Sequence, residues 1–100
     1  MYKASDYKRG DFRRILVVLV AIEDLKEPTL SNICERTGLD NQTVRTQLRR
    51  AQGQFGVKIG RDGVHYVIDS IGPVIRMTGA RKALTGEIGD VNETEIPLPD

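Results

Sequence analysis

One hundred residues, 39% apolar and 29% charged, make one domain with a modest core and leave no room for a second, ligand-sensing domain. The formal net charge of +1 is an average: residues 1–84 hold all fifteen Lys and Arg against nine acids, or +6, whereas 85–100 hold five acids and no base, or −5. A single Cys excludes an internal disulfide and any multi-cysteine metal site, and no cofactor motif is present.

The opening MYKASDYKRG lacks the apolar core of a signal peptide, and the longest apolar run, Ile15 to Ile22, is far short of the roughly 20 residues that span a bilayer. The chain is therefore expected to be soluble and cytoplasmic, with no membrane partner. Residues 1–10 read as a basic arm, continued by Arg13 and Arg14. It either reaches nucleic-acid backbone or merely solubilises the terminus.

Asp11 is placed to cap a first helix from Phe12 to about Lys26, since Pro28 disfavours helical geometry at the residue before it. Phe12, Ile15, Val18, Leu19, Ile22 and Leu25 form one apolar stripe, and Leu16, Val17 and Val20 a second on the far side. A helix apolar all round must be covered twice. Leu16, Val17 and Val20 are thus the candidate homodimer interface, unless residues 70–84 fold back and complete a monomer core.

Thr29 then caps a short helix with Leu30, Ile33, Cys34 and Thr37 on one face, and Gly38 ends it, because the residue past a helix end often takes a left-handed conformation that only Gly adopts cheaply. Cys34 reads as a small buried hydrophobe. Leu39 is a core plug, and Asp40 caps the next helix, Asn41 to Gln54, whose Val44, Leu48 and Ala51, followed by Phe55, fall in one arc at about 100° per residue. The opposite side presents Gln42, Thr43, Arg45, Thr46, Arg49 and Arg50, with Gln52 at its edge. No acid occurs between Asn41 and Arg61. An ordinary solvated face mixes charge signs, whereas arginines with amides and hydroxyls are the inventory that grips phosphates and base edges.

Beyond Phe55, the order Val57, Ile59, then Val64, Tyr66, Ile68 alternates about Arg61-Asp62-Gly63, a strong short-hairpin signal in which Gly63 supplies positive φ. Lys58 and Arg61 are its candidate backbone or groove contacts, and His65 is a surface or edge histidine. In Ser70–Leu84, Pro73 is placed to open a helix with Val74, Met77, Arg81 and Leu84 on one side, though Gly72 and Gly79 weaken it and Val74-Ile75 also suits a strand. We expect helix or irregular structure packed near the first helix. The stretch from Thr85 is acidic, contains Pro and shows no period, which favours disorder; it either has no role, competes for the arginine face, or hooks a protein partner through Ile96, Pro97 and Leu98.

The two helices about Gly38 resemble the DNA-binding unit of winged helix-turn-helix regulators, as in the multiple-antibiotic-resistance and isocitrate-lyase regulator families. The resemblance rests on Ile33, on Cys34 in a slot that usually holds Ala, on Gly38, and on Asn41-Gln42-Thr43-Val44, with a hairpin following as the wing. It implies an α+β winged helix-turn-helix, a three-helix core with a C-terminal hairpin wing, over 11–84. Implied with it is a transcriptional regulator, expected to be a repressor, that reads double-stranded DNA.

Under that implication Gln42, Arg45, Thr46 and Arg49 reach base edges, Arg13, Thr43 and Lys58 position the backbone, Arg61 enters a minor groove or touches phosphate, and Arg50 belongs to the same DNA-contacting set. No nucleophile, base or carboxylate pair is grouped for catalysis, and no glycine-rich phosphate loop is present, so we expect no enzyme. The competing reading is a protein-interaction module that uses the same arginine surface, or the second face of the first helix, to hold an acidic or helical partner.

Overall fold

The computed structural model describes residues 3–85. The acidic tail expected over 85–100 lies, Thr85 apart, outside the described residues. Four helices and one antiparallel hairpin make an α+β arrangement: α1 (Arg13–Asp24), α2 (Leu30–Thr37), α3 (Asn41–Phe55), β1 (Lys58–Asp62), β2 (His65–Ser70) and α4 (Met77–Thr85), preceded by a 3-10 turn at Ala4–Asp6. Among the described residues no helix is long and apolar enough to cross a membrane.

The central helix is α1. From Ile15 to Ile22 every residue is buried, as a helix apolar on all sides requires. One side takes α2 and α3; the other takes α4 and the 3-10 turn, whose Ala4 is wholly buried. Leu16, Val17 and Val20 are 3, 2 and 3% exposed within the single chain, so the face assigned above to a dimer is the chain's own core. Residues 70–84 supply much of that cover, through Ile75, Ala80 and Leu84.

The ends of α1 differ from expectation by a residue or two. Asp11 accepts from Arg13 N (2.9 Å) and pairs with its guanidinium (2.8 Å), but the helix begins at Arg13 and ends at Asp24, with Leu25 already extended. Phe12 falls outside the first turn and leaves the core stripe: it is 42% exposed and lies against Phe55, ring centroids 5.0 Å apart.

The α2–α3 corner follows its sequence signals closely. Thr29 Oγ1 accepts from Asn32 N (3.1 Å), Gly38 turns the chain at φ 78°, and Asp40 Oδ1 accepts from Thr43 N (2.7 Å). Buried Thr37 locks the corner by donating to Ile33 O (2.7 Å) and accepting from Leu39 N (3.3 Å). Cys34 is half-buried rather than buried, and its thiol donates to Asn41 Oδ1 (3.1 Å), joining α2 to the first residue of α3. Burial, with Asp40 nearby, pushes that thiol's pKa up and keeps it protonated.

In the hairpin, Asp62 pairs with His65, which leaves a two-residue loop of Gly63 (φ 66°) and Val64. Val64 is therefore a loop residue, 64% exposed, and not part of the inward alternation. Lys58 faces Ser70 and Ile59 faces Ile68, so the register slips by one residue at Asp69; Gly60 makes room there, since a Cβ on it meets the Asp69 carboxylate at 2.5 Å. The backbone before α2 adds a short third rung, with Tyr66 N donating to Pro28 O (2.8 Å) and a bridge from Thr29 to His65. His65 is thus half-buried at a strand junction.

Pro73 does not open α4. The chain runs irregularly to Arg76, leaving Val74 61% exposed, and the helix starts only at Met77. Gly72 (φ 80°) allows the approach, because a Cβ there meets Gly56 O at 2.6 Å. At the far end Arg81 clamps α4 to the end of α1, donating to Glu23 Oε1 (2.7 Å) and to both Asp24 oxygens (3.0 and 2.7 Å).

Candidate nucleic-acid interface

The α3 helix stands proud between two grooves. Its underside, Val44, Leu48 and Ala51, is buried against the core, and its outer face leaves Gln42, Arg45 and Arg49 exposed, with Thr43, Thr46 and Arg50 half-exposed. Thr46 is partly committed, since its hydroxyl donates to Gln42 O (2.9 Å). Among the described residues ion pairs involve only Arg13 and Arg81, so Arg45, Arg49 and Arg50 are not neutralised by any described carboxylate. Arg45 and Arg49 line one cleft with no acid in its lining, so their charges repel, and an anion placed against them relieves that repulsion.

On one side of α3 lies the hairpin. Between them is a cleft of about 360 Å³ whose lining includes Arg45, Arg49, Gln52, Arg61 and Tyr66. Gln52 sets its width: Oε1 accepts from Ile59 N (3.2 Å) and ties the first strand to the helix. Arg61 sits 5.2 Å from the centre of the Tyr66 ring, on the face turned toward α3 and not at the loop tip. It joins Arg45 and Arg49 instead of extending the reach of the hairpin. Lys58 is exposed at the base of the hairpin, outside this cleft.

On the other side lies the N-terminal segment. Expected as a free arm, residues 3–10 are docked: Ala4 is buried, Lys3 Nζ donates to Glu35 O (3.0 Å), and Arg14 Nε donates to Ala4 O and Tyr7 O (both 3.2 Å). Arg13 is held by Asp11 and lies 4.4 Å over the Tyr7 ring, so its charge is largely answered within the chain. The docked segment brings Arg9, and the first turn of α1 brings Arg14, to the flank of α3 that carries Thr43, Gln47 and Arg50. Arg9 and Arg14 were legible only as part of a basic terminus. Gln47 gave no sign at all, beyond lying about 60° from the middle of the buried arc.

The candidate residues thus separate into two groups and two outliers. Arg45 and Arg49 line the cleft on the hairpin side with Arg61; Gln42, Thr43, Thr46 and Arg50 line the groove that also holds Arg9 and Arg14; Lys58 and Arg13 stand apart from both. Compared with models of protein families, with curated proteins and with solved structures, the chain matches none.

Proposed function

We propose that this protein binds double-stranded DNA in a sequence-dependent way and acts as a transcriptional regulator of the winged helix-turn-helix kind. In this reading α3 enters the major groove, the hairpin is the wing, and backbone phosphates run on either side of α3. One observation carries it: the exposed side of α3 is free of acids and presents three arginines with amides and hydroxyls, on a helix buried along its underside and capped at both ends. The width of a helix with its side chains, about 10–12 Å, fits a major groove about 12 Å wide. Arg45 and Arg49, on the outer face, suit guanine; Gln42 suits adenine. Arg50, Thr43 and Arg61 suit phosphates.

The test is to select oligonucleotides from a random pool and then measure affinity for the selected site and for random duplex across salt concentration. Binding through about six phosphate contacts falls with log salt at a slope near −5. A flat response, or no preference among sequences, removes the proposal. It then favours the alternative, a module holding an acidic protein through the same arginines. A two-fold symmetric selected motif is the expected signature if the protein acts as a homodimer, whose contact then lies elsewhere than Leu16, Val17 and Val20.

A further inference from the structure

The groove between the N-terminal segment and α3 has a volume of about 550 Å³ and is built rather than incidental. Arg14, half-buried, is fixed by two carbonyls through its Nε, and its Nη groups meet no described carboxylate. Arg9 and Arg50 line the same groove and are likewise outside the described ion pairs. Beside them Gln47 is 5% exposed, and its buried Oε1 has no hydrogen-bond donor. Buried amides are almost always satisfied, so an orphaned one among three cations marks an incomplete site. Asp40 also lines the groove, its Oδ1 capping Thr43 N at 2.7 Å and its charge felt by Arg9, but an ionised carboxylate has no hydrogen to give Gln47 Oε1 and offsets only part of the positive field.

We propose that this groove binds a phosphate group, held by Arg9, Arg14, Arg50 and the Gln47 amide. A tetrahedral oxyanion has enough lone pairs to accept from several guanidiniums at once, and such charge-assisted contacts are the strong ones. The Gln47 amide is a soft two-fold rotor, so it turns Nε2–H onto the anion while Oε1 accepts from the guanidinium that the anion draws inward. Placed on the opposite flank of α3 from the hairpin, the groove receives a backbone phosphate of the duplex strand on that side. The source of the phosphate rests on the DNA-binding reading above; the existence of the pocket does not.

Two measurements separate the claims. The first follows the Gln47 side-chain NH2 and the Gly10 and Thr43 backbone amides by NMR as inorganic phosphate is added to the full chain, with chloride at matched ionic strength as control. The second compares salt slopes on random duplex for the unaltered chain, Arg9→Ala and Gln47→Glu. Gln47→Glu is informative because its carboxylate satisfies the arginines and is expected to raise the melting temperature while repelling phosphate, so loss of binding is not loss of fold.

The expected result is phosphate-specific shifts that vanish in Gln47→Glu, together with a salt slope lowered by about one in each variant. If the chain binds no duplex but phosphate still shifts those amides, the pocket stands with a free phosphate as its ligand and the DNA reading falls. If the chain binds duplex steeply while both variants keep its slope and phosphate shifts nothing beyond chloride, the pocket is overturned and the DNA reading stands. Silence in both measurements overturns both.

Discussion

At the scale of residues, what matters on α3 is which side chains have been spent on the fold and which remain. Gln52 is spent on Ile59 N, Thr46 partly on Gln42 O, and Asn41 Oδ1 on the Cys34 thiol. Arg45 and Arg49 remain. Arg45→Ala and Arg49→Ala are each expected to lose about 1–3 kcal/mol on a selected DNA site and little on random duplex, whereas Lys58→Ala weakens both alike. Fluorescence anisotropy on the two duplexes decides, and equal losses everywhere would remove base reading from these arginines.

Glycines give a second, purely structural check at this scale. A Cβ on Gly53 meets nothing within 4 Å, so Gly53→Ala is expected to stabilise the protein by about 0.5–1 kcal/mol through helix propensity. Gly72→Ala meets the Gly56 carbonyl and forces a positive φ on a residue with a side chain, and is expected to cost at least about 1 kcal/mol. Urea unfolding of both variants measures the contrast.

At the scale of elements, α4 is the piece whose attachment depends on charge. Arg81 holds Glu23 and Asp24 across the gap between α4 and α1, and the hydrogen bond from Arg81 holds the Asp24 carboxyl below its ordinary pKa. A carboxyl whose pKa is lowered on folding stabilises the fold above its unfolded pKa, and that contribution disappears as pH falls through the lower folded value. The window is therefore acidic, beginning at the ordinary carboxylate pKa of 3.8 and extending below it. Since all three groups are at least a third exposed, the clamp contributes no more than about 1 kcal/mol and weakens in salt.

Hydrogen-exchange protection at Ala80 and Leu84, taken relative to the intrinsic rate at each pH, is expected to fall in that acidic window before protection in α1 does, and Arg81→Met should abolish the difference. A pH response that Arg81→Met leaves intact would place the acid-sensitive contact elsewhere. Thr29→Ala, which removes the cap of α2, is expected to cost about 1 kcal/mol at any pH.

At the scale of the whole molecule, charge is divided along the chain. Removing residues 86–100, which hold five acids and no base, raises the formal net charge from +1 to +6. Random-duplex binding at low salt is expected to tighten and the difference to shrink as salt rises, because the effect is long-range attraction and not contact. Equal affinity of the two forms at low salt would show that those acids exert no field on the arginine surface.

The elements themselves were written locally. A period of about 3.6 placed Val44, Leu48 and Ala51 beneath α3; Thr29, Gly38 and Asp40 marked the corner; Gly63 marked the hairpin loop. These signals are readable because capping, positive φ and helical spacing involve residues only a few positions apart. The acid-free face of α3 was readable for the same reason.

Contacts between distant segments were not. That α4 and the 3-10 turn cover Leu16, Val17 and Val20, that Phe12 leaves the core for Phe55, that Arg61 comes to share a cleft with Arg45 and Arg49, and that Arg9 and Arg14 are carried to Gln47 all depend on how far-apart stretches close on one another. Such closure is decided by the fit and burial of whole faces, a sum over many weak contacts with no signature at any one position. The amino-acid order alone therefore determined the first three helices, the hairpin and the cationic face, and only the packed molecule decided where α4 begins, that this face stands between two arginine-lined grooves and that the second side of α1 is closed from within.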